Sequence, residues 1–149
     1  MSIKGKVSHN FSAMMVAKAY EKESQHLVND VSSAVQVLLK KMLSRGDGRK
    51  NPSTSPNPPH VRTGTLLRSW TTKNKQRARR TDSGHSLLLG SNVVYARALE
   101  YGYAPRNLDP RPYLGPTVRS GRLKMYIRKR LNQSAMNIRG MIRKKVIKK

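Results

Sequence analysis

All eight prolines of this 149-residue chain lie between positions 52 and 116. Proline lacks an amide N–H and its ring clashes with the preceding helical turn, so long helices are confined to the two flanks of that block. On the N-terminal flank Val16, Tyr20, Leu27, Val31, Val35, Leu38 and Met42 recur in steps of three and four, or their sum. That spacing places one apolar stripe on one face and predicts a helix over about 12–43. Ser44-Arg45-Gly46 closes it, since glycine takes the left-handed cap conformation at little cost. On the other flank Leu123, Ile127, Leu131, Ala135, Ile138, Ile142 and Val146 predict a second helix over about 117–147.

Between the helices the chain changes character twice. Residues 46–62 hold Pro52, Pro56, Pro58 and Pro59 among turn formers, and read as an extended arm. At roughly 3 Å per residue it would reach on the order of 40 Å, far enough to touch a neighbouring subunit. Residues 63–102 then read as a β-hairpin and a short helix. Trp70, Thr71 and Thr72 favour one strand, the apolar run "HSLLLGS" suits the other, and Thr81-Asp82-Ser83-Gly84 supplies the turn. Val94, Ala98 and Tyr101 have helical spacing up to a stop at Gly102. Residues 103–116, with Pro105, Pro110, Pro112 and Pro116, are expected to be irregular. The expected fold is a single α+β domain over 1–149: a small antiparallel sheet packed with a long N-terminal helix and a long, basic C-terminal helix.

Charge narrows the partners. The chain carries 31 Lys and Arg against 7 Asp and Glu, a formal net charge of +24. Self-repulsion on that scale favours a polyanion nearby, either nucleic acid or an acidic protein surface. Acids end at Asp109, so the polar faces of the second helix are almost purely Lys and Arg. The basic clusters "KNKQRARR" (73–80) and "RKKVIKK" (143–149) could neutralise phosphates, and Arg139, Arg143, Lys144, Lys145, Lys148 and Lys149 are the expected polyanion-facing residues. One Trp and one Phe supply a poor stacking platform for single strands. The apolar face of the second helix is interrupted by Ala135 and lacks Trp and Phe, which argues against a membrane-surface helix. Cysteine is absent and no apolar run approaches a signal core or a membrane span, so a soluble protein made in the cytoplasm is expected.

Catalytic chemistry finds little to hold. The four histidines, His9, His26, His60 and His85, lie far apart and none has zinc-site spacing. Asp82, Ser83 and His85 share one turn, whereas catalytic triads are assembled across a fold. No phosphate-binding glycine loop is present, and the acids offer no pair for glycosidase or two-metal work. A non-enzyme without cofactors is expected.

Three segments taken together resemble a known family. "HVRTGTLLRSW", "LGSNVVYARALEYGY" and "DPRPYLGPTV" are similar to the signature of tailed-phage head–tail joining proteins, also called neck, tail-completion or minor tail protein Z-like proteins. That signature runs from a Pro-rich loop to Thr-Gly-x-Leu-x-x-Ser, here Thr63, Gly64, Leu66 and Ser69. It continues with Gly90 and Ser91, then Tyr95, Ala96, Glu100 and Gly102, and ends with Arg111, Pro112, Tyr113 and Leu114 before a final helix. The match covers about the central third of the chain. Gly115 stands where the family often has a charged residue, and the last helix is longer and more basic than the pattern. The resemblance implies a structural virion protein forming a homo-oligomeric ring, hexamer or dodecamer, in the neck of a tailed bacteriophage. Its expected neighbours are the portal, connector or stopper protein on the head side and the tail terminator or tube on the tail side, with genomic DNA passing close by and no membrane. The alternative is a free DNA- or RNA-binding protein that uses its basic C-terminal region.

Elementary chemistry gives the signature residues work to do. Thr63 can bond its own backbone and Gly64 permits a sharp corner, which would anchor the arm. Tyr95 and Leu99 are spaced to face a core. Glu100, a lone acid in basic surroundings, is expected to pair with Arg111, and Pro112 to fix the direction in which the last helix leaves.

Overall fold

The computed structural model describes residues 13–46, 50–70, 79–82 and 84–147, without the side chains of 13 and 144–147. The fold is α+β and mostly helical. In order it contains α1 (Ala13–Leu43), α2 (Thr65–Ser69), β1 (Arg79–Thr81), β2 (Gly84–Ser86), α3 (Ala96–Tyr101), a 3-10 turn (Ala104–Arg106), α4 (Leu114–Arg119) and α5 (Gly121–Ile147). Among the described residues no helix is long and apolar enough to cross a membrane.

The frame is α1 packed along α5. At 1.5 Å per residue α1 is about 46 Å long. Lys40 and Lys41 in its last turn complement the negative end of the helix dipole. Gly46 follows with φ +71°, as the closing tripeptide predicts, and a Cβ there would lie 2.6 Å from the His60 ring. Val35, Leu39 and Leu43 of α1, Leu123 of α5, and Leu66, Trp70, Ala96 and Tyr113 from the middle of the chain form one buried cluster. Each fully buried side chain of this kind contributes roughly 1.5–3 kcal/mol of transfer free energy.

The C-terminal helix differs from expectation in two ways. It is two helices, because Ser120 (φ −61°, ψ 140°) breaks the run and its Oγ accepts the Leu123 N–H at 3.3 Å, an N-cap for α5. Helical structure also begins earlier, at Leu114. Pro116 is tolerated in the first turn of α4, where a missing N–H leaves no helical bond unmade. Along α5 the inward stripe departs from the apolar repeat. Leu131 and Ala135 are exposed, whereas Arg130, Ser134 and Asn137 face α1.

Among the described residues three pair on each side of a hairpin, Arg79 with Ser86, Arg80 with His85 and Thr81 with Gly84, which brackets the expected turn. Trp70 is not in a strand. It ends α2 and is 5% exposed, because Leu66 and Trp70, four apart, both reach the core when the segment is helical. Burial there overrides the β-propensity of tryptophan. Thr71 and Thr72 lie outside the described residues. Leu87–Gly90 continues past the hairpin without ladder bonds among the described residues, with Leu88 exposed.

Residues 50–62 are not an extended arm. Ser53 and Pro59 are buried, Ser55 Oγ donates to the Pro110 carbonyl at 2.8 Å, and Asn57 N–H closes a turn on Thr54 at 2.9 Å. His60 Nδ1 donates to the Asn51 carbonyl at 2.7 Å. Proline excludes helix and ladder, but its fixed φ serves a compact series of turns as well as an extended chain. Pro52 and Pro56 are exposed and Pro58 half-buried on this folded loop.

Candidate functional site

The signature segments meet around the first turn of α4. The opening N–H groups of a helix have no partner inside it, and a carboxylate there is favoured by the dipole as well. Glu100, at the end of α3, supplies that carboxylate. Its Oε2 accepts the N–H groups of Tyr113 and Leu114 at 2.8 and 2.9 Å, and its Oε1 accepts that of Gly115 at 2.8 Å. A Cβ on residue 115 would sit 3.1 Å from Oε1, so the glycine at this position admits the close approach.

This corrects the expected Glu100–Arg111 pair. Three converging backbone donors occupy the carboxylate, and Arg111 is held by other means. Its N–H donates to the Leu99 carbonyl at 2.7 Å, while its Nε is buried with no hydrogen-bond partner among the described residues. Opposite charge in a basic neighbourhood was a poor guide, since it ignored the helix terminus that follows Pro112.

Tyr113 is the centre of the unit. It is 2% exposed, its hydroxyl donates to the Ala96 carbonyl at 3.3 Å, and its ring meets Trp70 edge-on at 6.3 Å between centroids. Burial, aided by the nearby Glu100 charge, pushes its hydroxyl up to about 12. Thr117 Oγ1 donates back to the Tyr113 carbonyl at 2.6 Å. Ala96 is buried, and Pro112, Leu114 and Leu99 are half-buried. Tyr95, expected in the core, is 45% exposed: it stands at the N-cap of α3, and Ala96 is the residue turned inward.

A chain of hydroxyls links the first two segments. Ser69 Oγ donates to the Leu66 carbonyl at 2.7 Å and lies 2.6 Å from Ser91 Oγ, which accepts the Val93 N–H at 3.2 Å. Since the Ser69 proton is committed to Leu66, the Ser91 hydroxyl donates to Ser69. Every member then has one direction, an arrangement that polarises each bond in turn. The Thr-Gly corner is as expected: Gly64 has φ +73°, and Thr63 Oγ1 accepts the Thr65 N–H at 3.4 Å. Gly102 (φ +81°) ends α3, and a Cβ there would lie 2.9 Å from the Leu108 carbonyl oxygen. Gly90 is exposed in open space, and nothing in the structure explains it.

Comparison with family models, with curated proteins and with solved structures finds no match to this chain. Beside the Thr-Gly corner a groove of about 610 Å³ runs between residues 59–67 and Tyr95, Leu99, Leu108 and Arg111.

Two polar clusters escaped the sequence reading. The first is buried between α1 and α5: Arg130 bonds Asp30 through Nε and Glu23 through Nη1 at 3.2 Å, and Asn137 Nδ2 donates to the same Glu23 oxygen at 3.0 Å. Burial alone would raise the pKa of Glu23, but hydrogen bonds from Asn137, Ser134 and Arg130, with the Arg130 charge, hold it below its ordinary value. The signal was present, since Glu23 and Asp30 flank Leu27 at helical steps and so share the apolar face of α1. The second cluster docks the hairpin on α1. Arg80 pairs with Glu21 at 3.0 Å, and His85 Nδ1 lies 2.7 Å from Ser24 Oγ. Ser24 donates its own proton to the Glu21 carbonyl at 2.9 Å, so the histidine N–H donates to the serine and does not act as its base. Of the Asp82, Ser83 and His85 turn, Asp82 is exposed and Ser83 lies outside the described residues.

Four of the described carboxylates (Glu21, Glu23, Asp30 and Glu100) are thus bonded internally, leaving Asp82 and Asp109 at the surface. The outward face of α5 is cationic. At 3.6 residues per turn Lys124, Arg128, Arg139 and Arg143, all exposed, fall within an arc of about 100°. Lys148 and Lys149 lie outside the described residues, as do the side chains of Lys144 and Lys145.

Proposed function

We propose that this chain is a structural protein of a tailed-phage virion, assembling as a ring in the neck between head and tail around the DNA path. One observation supports the reading: the three signature segments, separated from one another along the chain, are parts that pack together. Glu100 caps α4, Tyr113 bonds Ala96, and Ser69 joins Ser91. The signature is accordingly a scaffold whose residues hold one another. Exposed apolar side chains beside that scaffold, among them Val94, Tyr101 and Tyr103, suit contact with a neighbour. The folded Pro-rich loop takes no part in the proposal as a bridge.

A free nucleic-acid binder is favoured by one feature, the cationic outer face of α5 opposite acids that are already engaged. The two readings separate on the purified protein. Mass measurement with electron microscopy should find rings, or recruitment to isolated portals or tails. A monomer that binds duplex DNA tightly, stoichiometrically and with sequence preference would overturn the neck assignment.

A further inference from the structure

The groove beside the Thr-Gly corner is largely apolar with two cationic residues. Leu43, Leu67, Leu99 and Leu108 line it together with Tyr95, and Arg62 and Arg111 are its arginines. Its volume, about 610 Å³, falls within the range of roughly 300–1,000 Å³ typical of ligand clefts. Among the described residues no carboxylate lines it. Arg111 meets the groove with its Nε already removed from water and without an acceptor, although a buried donor of this kind is ordinarily paired.

We propose that this groove docks a short segment of an acidic partner protein, seating a leucine-like side chain on the floor and a carboxylate on the Arg111 guanidinium. The fork geometry of arginine suits a carboxylate taken along one edge by two N–H groups. A second copy of this chain is a poor occupant of the groove, since its described acids other than Asp82 and Asp109 are bonded internally. A phosphodiester is disfavoured by the leucine floor, which offers nothing to a hydrated backbone. This inference goes beyond the neck assignment and does not require it, since any acidic partner with this pattern would fit.

The test uses the full chain and a fluorescein-labelled six-residue peptide alternating leucine and glutamate, with its glutamine twin as control. Salt of about 0.3 M shortens the Debye length to roughly 5–6 Å and suppresses diffuse attraction. The glutamate peptide is expected to bind and to shift the methyl signals of Leu67, Leu99 and Leu108. Arg111→Met should weaken it at least about tenfold, the loss expected for a charge-assisted bond. Tyr95→Ala, at a half-exposed position, should weaken it without disturbing the Leu39 and Leu123 methyls of the core. Equal binding of the glutamine twin overturns the proposal. So does an equal loss on replacing Arg139 and Arg143 by glutamine, or a peptide that shifts α5 methyls in wild type and leaves the groove leucines unmoved. Displacement of the peptide by a short phosphodiester that moves the same groove methyls would reassign the groove to nucleic acid.

Discussion

Replacing Arg130 by methionine isolates what the buried clamp between α1 and α5 contributes. The Glu23 side chain is 7% exposed and that of Arg130 18%, whereas Asp30 is 42% exposed and its pairing counts for little. Removing one member of a buried pair leaves the other uncompensated, at about 3–5 kcal/mol. With one partner near the surface the low end applies, about 3 kcal/mol. For a domain of this size, at about 2–4 °C per kcal/mol, Tm should fall by about 6–12 °C. A pH series checks the cause. In wild type the lowered pKa of Glu23 gives stability that is present above the unfolded value, about 4.3, and is lost as pH falls through the folded value. Without Arg130, burial is less opposed and the Glu23 pKa moves up, so Arg130→Met gains relative stability as Glu23 takes a proton. Thermal melts should therefore show the deficit shrinking between pH 7 and about pH 4. The double variant Glu23→Leu/Arg130→Met should recover most of the loss. A deficit that stays constant with pH, or one under about 1 kcal/mol at pH 7, would refute the reasoning.

Glu100→Ala strips three helix-terminal N–H groups of their acceptor and should cost about 2–3 kcal/mol, more than Arg111→Ala; equal melting shifts for the two would contradict the cap. Tyr113 favours its protonated form in the folded state, so its contribution to stability falls as pH rises from about 10 to about 12. Tyr113→Phe should lose that alkaline limb in pH-dependent melts, and an unchanged limb would assign it elsewhere. Gly64→Ala, at φ +73°, should destabilise by about 1–2 kcal/mol, and a neutral result would mean the corner relaxes. Replacing Arg139 and Arg143 with glutamine should reduce the slope of log K against log salt for duplex DNA by about 1.8 if both meet phosphate; fluorescence anisotropy at several salt concentrations reads it directly, and an unchanged slope would remove that face from DNA contact.

The long helices were legible because their apolar repeats continue over many turns, and Gly46, Gly64 and Gly102 were legible because each has a positive φ. Several inferences that needed a particular partner from elsewhere in the chain failed. Trp70 looked like a strand residue until the core claimed it. Glu100 is paired by charge alone with Arg111, whereas its carboxylate matches the N–H groups of a helix terminus thirteen to fifteen residues away in the direction of α4. The Pro-rich segment was read as reaching outward, because proline content fixes local stiffness and says nothing about whether Ser53 and Pro59 find a surface to cover. Arg130 is not distinguished by sequence from the other Lys and Arg of the second helix, although its acids share one face of α1. Ser120 was the avoidable miss, since a serine ahead of a new apolar repeat is a recognisable helix start.

The Glu100 cap also bears on how the chain could tolerate change in length. The first residue of α4 is chosen by a carboxylate on α3, so the rotational phase of α4 is set at that contact and not by the number of residues leading up to it. Asn107, in the left-handed conformation at φ 48°, sits at the exposed tip of the intervening loop, where Tyr103 and Leu108 bridge its base. A residue inserted beside Asn107 would lengthen the tip and leave α4 in phase. The same insertion between Pro112 and Leu114 would rotate the whole helix by about 100° and present Pro116 where Thr117 is buried. Two insertions a few positions apart should therefore differ between a tolerated variant and a misfolded one.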